Sequence, residues 1–235
     1  MSSKSPTIGI IGGMGPWASL YMFECILQEW SAEKEQDYPH IILDSNPGIP
    51  DRTSAITGEG EDPFPYIEKS AIRLMSQGVE ILAMACNTAH FWYEKLKREV
   101  ECEFPSIIET AVNTVFEETK DPLRTSIGIL ATDGTIQSGI YQKEIERQGM
   151  KCIVPDGKHQ SLLMEAVYGK DGIKLEGGDS KAGQMVRDAA EHLRSQGSDF
   201  VIAGCTELPL VLKGIGNVID PMRETAKNIV GYALP

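Results

Sequence analysis

The chain reads as an α/β protein made of two pseudo-symmetric copies of one unit, each a mainly parallel sheet flanked by helices. Three observations predict this. The thirteen residues Ser76-Gln77-Gly78-Val79-Glu80-Ile81-Leu82-Ala83-Met84-Ala85-Cys86-Asn87-Thr88 align with Ser195-Gln196-Gly197-Ser198-Asp199-Phe200-Val201-Ile202-Ala203-Gly204-Cys205-Thr206-Glu207, at an offset of 119 residues. Thr7-Ile8-Gly9-Ile10-Ile11 matches Ser126-Ile127-Gly128-Ile129-Leu130 at the same offset. Throughout, short β-branched runs alternate with longer amphipathic ones, as parallel strands joined by helical crossovers require.

In chain order, the expected strands are Thr7–Ile11, Ile41–Asp44, Ile81–Ala85 and Ser106–Ile108 in the first unit. Ser126–Leu130, Lys151–Val154, Phe200–Ala203 and Asn217–Ile219 follow in the second. Each is a short apolar run bounded by polar or turn residues. The 3.6-residue period places helices over Trp17–Ala32, Phe64–Gln77, Thr88–Glu99, Val112–Glu118, Ser138–Gln148, Leu162–Tyr168, Gly178–Ser195 and Arg223–Tyr232. Phe104 to Ala111 resembles Asn217 to Pro221 followed by Glu224-Thr225-Ala226, which extends the repeat beyond the cysteines. Pro47–Pro65 is the longest stretch without a periodic pattern, and loops of that length often carry function.

A length of 235 residues suits one large domain or two small ones. No apolar run approaches the ~20 residues of a membrane span, and Met1-Ser2-Ser3-Lys4-Ser5-Pro6 is too polar for a signal peptide. A cytoplasmic location is expected. The formal charge of −12 disfavours nucleic acid and anionic membranes as partners, and requires local donors for any anionic ligand. Cys25, Cys86, Cys102, Cys152 and Cys205, odd in number and scattered, fit free thiols in a reducing compartment.

Cys86 and Cys205 each stand where an apolar strand gives way to a polar helix start, the carboxyl-end position at which open α/β sheets bind ligands. A lone cysteine of this kind is ordinarily a buried structural residue; two at matched repeat positions point to function. Asn87-Thr88 and Thr206-Glu207 offer caps and outward N–H groups suited to holding a carboxylate and to lowering a thiol pKa. Two such units face to face would set one thiol on either side of a ligand carbon. That arrangement can take a proton from one face and return one to the other.

Gly12-Gly13-Met14-Gly15-Pro16 is a glycine loop that lets backbone approach a small ligand. Read loosely as G-x-G-x-x-A, with Asp44 as a ribose-binding acid, it also admits a nucleotide-dependent oxidoreductase. Arg52, in Pro50-Asp51-Arg52-Thr53, has the fork that pairs with a carboxylate, although an arginine in a polar loop is commonly just solvated. Ala131-Thr132-Asp133-Gly134-Thr135 is the second unit's counterpart of the glycine loop, with two hydroxyls. His90, four residues after Cys86, could join both cysteines at a metal, but no ligand-spacing motif supports that.

Gly12-Gly13-Met14-Gly15-Pro16, Pro50-Asp51-Arg52-Thr53, Ala85-Cys86-Asn87-Thr88-Ala89 and Gly204-Cys205-Thr206-Glu207 together resemble the aspartate/glutamate racemase family, in the family's order and over nearly the whole chain. The glycine loop and Gly-Cys-Thr-Glu are more similar to its aspartate branch. The resemblance implies a cleft between a first domain of residues 1–105 plus 215–235 and a second of 106–214. It implies catalysis without pyridoxal phosphate, metal or other cofactor, and a homodimer acting on a small acidic amino acid. It makes Cys86 and Cys205 the acid/base pair. Met14, Asn87, Thr88, Thr132, Thr135 and Thr206 become substrate contacts, and Arg52 the clamp on the side-chain carboxylate. Lys174, with Lys170 as the alternative, becomes a second carboxylate contact. Rival readings are a glutamate enzyme, a maleate- or malonate-type isomerase or decarboxylase, and a small-molecule sensor using the same cleft without turnover.

Overall fold

In the computed structural model the repeat is expressed as two parallel sheets. The structure describes residues 5–179, 181–212, 214 and 216–233. The opening Met1 to Lys4, the expected boundary residue Ile215, and Ser180 of the expected helix Gly178–Ser195 lie outside the described residues. Among those described, no helix is long and apolar enough to cross a membrane.

The first unit runs β1 (Thr7–Gly12), α1 (Pro16–Glu29), β2 (His40–Ser45), α2 (Arg52–Thr57), α3 (Phe64–Met75), β3 (Ile81–Met84) and α4 (Tyr93–Lys97). A joining helix, α5 (Ile107–Glu118), leads to β4 (Ser126–Leu130), α6 (Asp133–Ser138), α7 (Ile140–Arg147), β5 (Lys151–Ile153), α8 (Gly157–Tyr168), α9 (Ile173–Glu176), α10 (Gly183–Ser195), β6 (Phe200–Ala203), β7 (Val218–Ile219) and α11 (Pro221–Ala233). The sheet orders are β2-β1-β3 and β5-β4-β6-β7.

The duplication reaches the hydrogen-bond register. Ile8 pairs with Ile81 and Ile11 with Met84, and 119 residues later Ile127 pairs with Phe200 and Leu130 with Ala203. Packing repeats as well. The buried stripe Ile67, Ser70, Ala71 and Leu74 of α3 recurs as Val186, Ala189, Ala190 and Leu193 of α10, the spacing of a helix that covers a sheet with one face. A Cβ at Gly9 would come within 2.9 Å of Val79, and one at Gly128 within 3.0 Å of Leu193 and Ser198, so at both matched positions glycine lets neighbouring segments pack closely on the strand.

Three expectations are corrected. Ser106–Ile108 is no strand: Ser106 caps α5, its hydroxyl accepting the Glu109 N–H at 3.3 Å. The helix lies between two cores. Ile107 packs with Ile8, Ile10 and Met222, while the adjacent Ile108 packs with Ile127 and Ile129. A helix buried on both sides shows consecutive apolar residues and so mimics a strand. The first unit's counterpart of β7 shrinks to a single bridge between Ile81 and Glu103. Second, Pro47–Pro65 contains α2, capped by the Asp51 side chain at Ser54 N and closed by Gly58 at φ +83°. Third, the expected helix Thr88–Glu99 begins as a 3₁₀ turn over Thr88–Trp92 before α4. The C-terminal segment serves both halves: β7 pairs with β6, while α11 packs Met222, Ala226 and Ile229 against Met22, Cys25 and Ile26 of α1.

Candidate active site

The two special cysteines occupy equivalent places. Each lies two residues beyond the corresponding strand of its unit, Cys86 after β3 and Cys205 after β6, at 4% and 5% exposure. The chain leaves each cysteine in a 3₁₀ turn, and neither Asn87 nor Glu207 caps that turn with its side chain. Backbone donors beside the thiols are thus presented by tight turns rather than by long helices.

Loops from both units converge here. Lys174, at the start of α9, donates from Nζ to the Met14 carbonyl at 3.1 Å and to Glu207 Oε1 at 2.8 Å. Glu207 Oε1 also accepts the Gly15 N–H at 3.2 Å, and Oε2 accepts from Cys205 Sγ and Thr206 Oγ1, both at 3.1 Å. One buried carboxylate therefore ties the second cysteine, the lysine and the first unit's glycine loop together. Across the same seam Thr88 Oγ1 lies 3.1 Å from Thr132 Oγ1 and 2.8 Å from Thr135 Oγ1. Tyr141 Oη donates to Asn87 Oδ1 at 2.6 Å.

Arg52 is buried. Its Nη1 donates to the Ile49 and Pro50 carbonyls and its Nη2 to the Met14 carbonyl at 3.0 Å. The guanidinium thus shares Met14 with Lys174. Among the described residues Arg52 Nε and Asn87 Nδ2 are buried donors without a partner, a rare condition in folded proteins and one that suits ligand-facing groups.

Charge follows geometry. Burial pushes the Cys205 thiol well above its ordinary range, and the adjacent Glu207 carboxylate pushes it further, against the pull of Lys174. Burial also opposes the charges of Glu207 and Lys174. Their mutual attraction prevails, holding the carboxyl below its ordinary range and the ammonium above its own. Both Cys205 and Cys86 act on the Lys174 charge, and Cys86 acts on Arg52. Each cysteine thus has a buried cation as its electrostatic neighbour.

Every expected site residue except the alternative Lys170 takes part in these contacts, and three further residues contribute in ways that were not expected. Glu207 was expected as a cap beside a thiol of lowered pKa; instead its side chain caps nothing, binds Gly15, Lys174 and Cys205, and pushes the Cys205 thiol up. Tyr141 and Tyr168 reach Asn87 and the Asp51–Thr53 loop from the opposite unit, the latter at 3.4 Å from both Thr53 Oγ1 and Asp51 Oδ2. The other readings fare poorly. His90 has both ring nitrogens engaged, Nδ1 with the Cys86 carbonyl at 2.8 Å and Nε2 with the Ile107 N–H at 3.2 Å, which leaves none for a metal. Asp44 is held by Ser70 at 2.6 Å and Arg73 at 2.7 Å, and Gly15 N–H is taken by Glu207, so the nucleotide reading loses both its acid and a phosphate donor.

A duplicated α/β frame with a strand-end thiol in each half defines a class, and residues 11–229 match it: the chain belongs to the Asp/Glu/hydantoin racemase family. It is by class an amino-acid racemase. It is similar to the broad specificity amino-acid racemase RacX of Bacillus subtilis (strain 168), at 27% identity over 97% of this chain and 98% of that protein. It is also similar to the glutamate racemase of Aquifex aeolicus, at 32% identity over 71% of this chain and 64% of that one. Among solved structures, the aspartate racemase of Picrophilus torridus superposes with a TM-score of 0.84 at 28% identity, covering 97% of this chain and 94% of the other.

Proposed function

We propose that the enzyme interconverts the D and L forms of an acidic amino acid, aspartate before glutamate, by two-base proton transfer between Cys86 and Cys205. The observation that carries this reading is the placement of two buried thiols, each two residues beyond one of the matched strands β3 and β6, with Lys174 joined to Cys205 through Glu207. In one direction Cys86, as thiolate, takes the α-proton, and Cys205, kept protonated by burial and Glu207, delivers its S–H proton to the other face. Cys86 ends as thiol and Cys205 as thiolate; the reverse reaction exchanges the roles.

The unpartnered donors Arg52 Nε and Asn87 Nδ2, with the Thr88, Thr132 and Thr135 hydroxyls, suit two carboxylates. Donors fixed before reaction stabilise charge as it develops on the α-carbon side. Both thiols are shut from solvent, so substrate is admitted by parting of the units, with the Arg52-bearing segment as the lid. The chemistry needs no pyridoxal phosphate or metal, and we place the enzyme in the cytoplasm as a homodimer. Incubation with pure L- or D-aspartate and, separately, glutamate, followed by chiral analysis, tests the reading. Both aspartate enantiomers should reach a one-to-one mixture, with glutamate slower. Failure to racemise either acid would overturn it.

A further inference from the structure

A second constellation lies on the outer helices of the second unit. Asp156 and His159 stand at the start of α8, and His192 in the last turn of α10. Asp156 Oδ1 accepts the His159 backbone N–H at 2.9 Å and lies 2.7 Å from His159 Nδ1, while Oδ2 lies 3.7 Å from His192 Nε2. The two imidazoles stack with centroids 3.8 Å apart and planes inclined by 10°. One ligating atom from each of the three residues lies within 4.8 Å of the other two. Capping α8 explains Asp156 alone; it does not explain a histidine arriving from another helix. Two imidazoles and a carboxylate are a donor set for zinc, cobalt, nickel or copper and a poor one for calcium or magnesium.

The geometry points to a divalent transition-metal site formed by Asp156, His159 and His192, separate from the catalytic cleft. Three protein ligands leave further positions to water. The Asp156 side chain, at 55% exposure, opens the site to solvent.

The site has structural leverage. From its capped start, α8 extends roughly 18 Å, at about 1.5 Å per residue, to Tyr168. Beyond it comes Lys174, and the chain returns through α10 to His192. A metal joining the first turn of α8 to the last turn of α10 closes a loop that contains Tyr168 and Lys174, two of the residues that cross the inter-unit seam. Such a clip stabilises the loop against local opening by binding only its closed form.

The test is cobalt titration of the chelator-treated, full-length enzyme, read by visible absorption, with zinc-dependent melting alongside. The site predicts saturation at one cobalt per chain, d–d bands without thiolate-to-cobalt charge transfer, and a rise in melting temperature with zinc. His159→Ala and His192→Ala should each abolish this, and Asp156→Asn should weaken it at least tenfold. X-ray absorption of the cobalt complex of the unaltered chain should count two imidazoles with oxygen, a result independent of whether any variant folds. Sulfur in the first shell, binding that survives both histidine changes, or no saturable binding at micromolar metal would each overturn the site. None of these readouts depends on racemase activity.

Discussion

Cys205 donates its thiol hydrogen to Glu207 across 3.1 Å, so the second unit's cysteine rests against a buried carboxylate that opposes its ionisation. The same carboxylate receives Lys174 at 2.8 Å. Removing its charge therefore has two effects that can be separated. In Glu207→Gln the Cys205 thiolate should form at lower pH, because a like charge is gone. Alkylation of Cys205 followed by mass spectrometry across pH should show the shift. Stability should also fall by about 3–5 kcal/mol, the cost of leaving a buried cation without its partner, measured by urea unfolding. An unmoved alkylation profile would remove Glu207 from control of the thiol.

The cysteine pair gives the sharpest expectation. Cys86→Ser and Cys205→Ser should each abolish racemisation, since serine is too weak an acid to be the resting base. Exchange of the α-proton with deuterated water should persist on opposite enantiomers of aspartate in the two variants, as NMR would resolve. Cys25, buried between α1 and α11 and pushed up to about 12 first by burial and then by Asp220, should be replaceable by Ser without loss of turnover. So should Cys102 and Cys152. A parental rate in either active-site variant would refute the two-thiol mechanism.

Arg52→Ala should cut kcat/KM on aspartate by at least a hundredfold, and Arg52→Lys should restore little, because an ammonium lacks the planar fork. The replacement also strips the Met14, Ile49 and Pro50 carbonyls of a shared donor, so the loop should become protease-sensitive. Full activity in Arg52→Ala would exclude the residue from substrate binding.

Acid should weaken the fold through His90. Burial lowers its pKa from 6.5 to about 4, so between those values the unfolded chain binds a proton that the folded chain refuses. Stability is fully present above pH 6.5 and is lost as pH falls toward about 4, by up to ~1.4 kcal/mol per pH unit and roughly 3 kcal/mol in all. Urea unfolding at stepped pH should show this slope in the parent and a shallower one in His90→Gln. Equal slopes would place the acid sensitivity elsewhere.

Much of this architecture was legible because the repeat is literal: an offset found between two cysteines also governs Ile8↔Ile81 against Ile127↔Phe200, and Gly9 against Gly128. The same logic misled at Ser106–Ile108, where symmetry with Asn217–Ile219 suggested a strand and a helix serving two cores stands instead. The expected site residues were legible as motifs, but their interactions were not. Nothing in sequence separates Lys174 from Lys170, or joins Lys174 to Glu207 33 residues on; that pairing is made by two loops meeting in space. Asp156, His159 and His192 show no spacing signature, since a helix start and a distant helix end supply them.

Arg52 and Lys174 grip residue 14 by its carbonyl oxygen, and Glu207 grips residue 15 by its N–H. Every bond that fastens this loop to its neighbours is made to main chain, so none depends on which side chain residue 14 carries. The Met14 side chain, buried among Ile11, Met84 and Cys86, answers only to volume. Descent with modification can therefore rewrite that letter, from methionine to another residue of like bulk, while the fastening of the loop goes on being inherited unchanged.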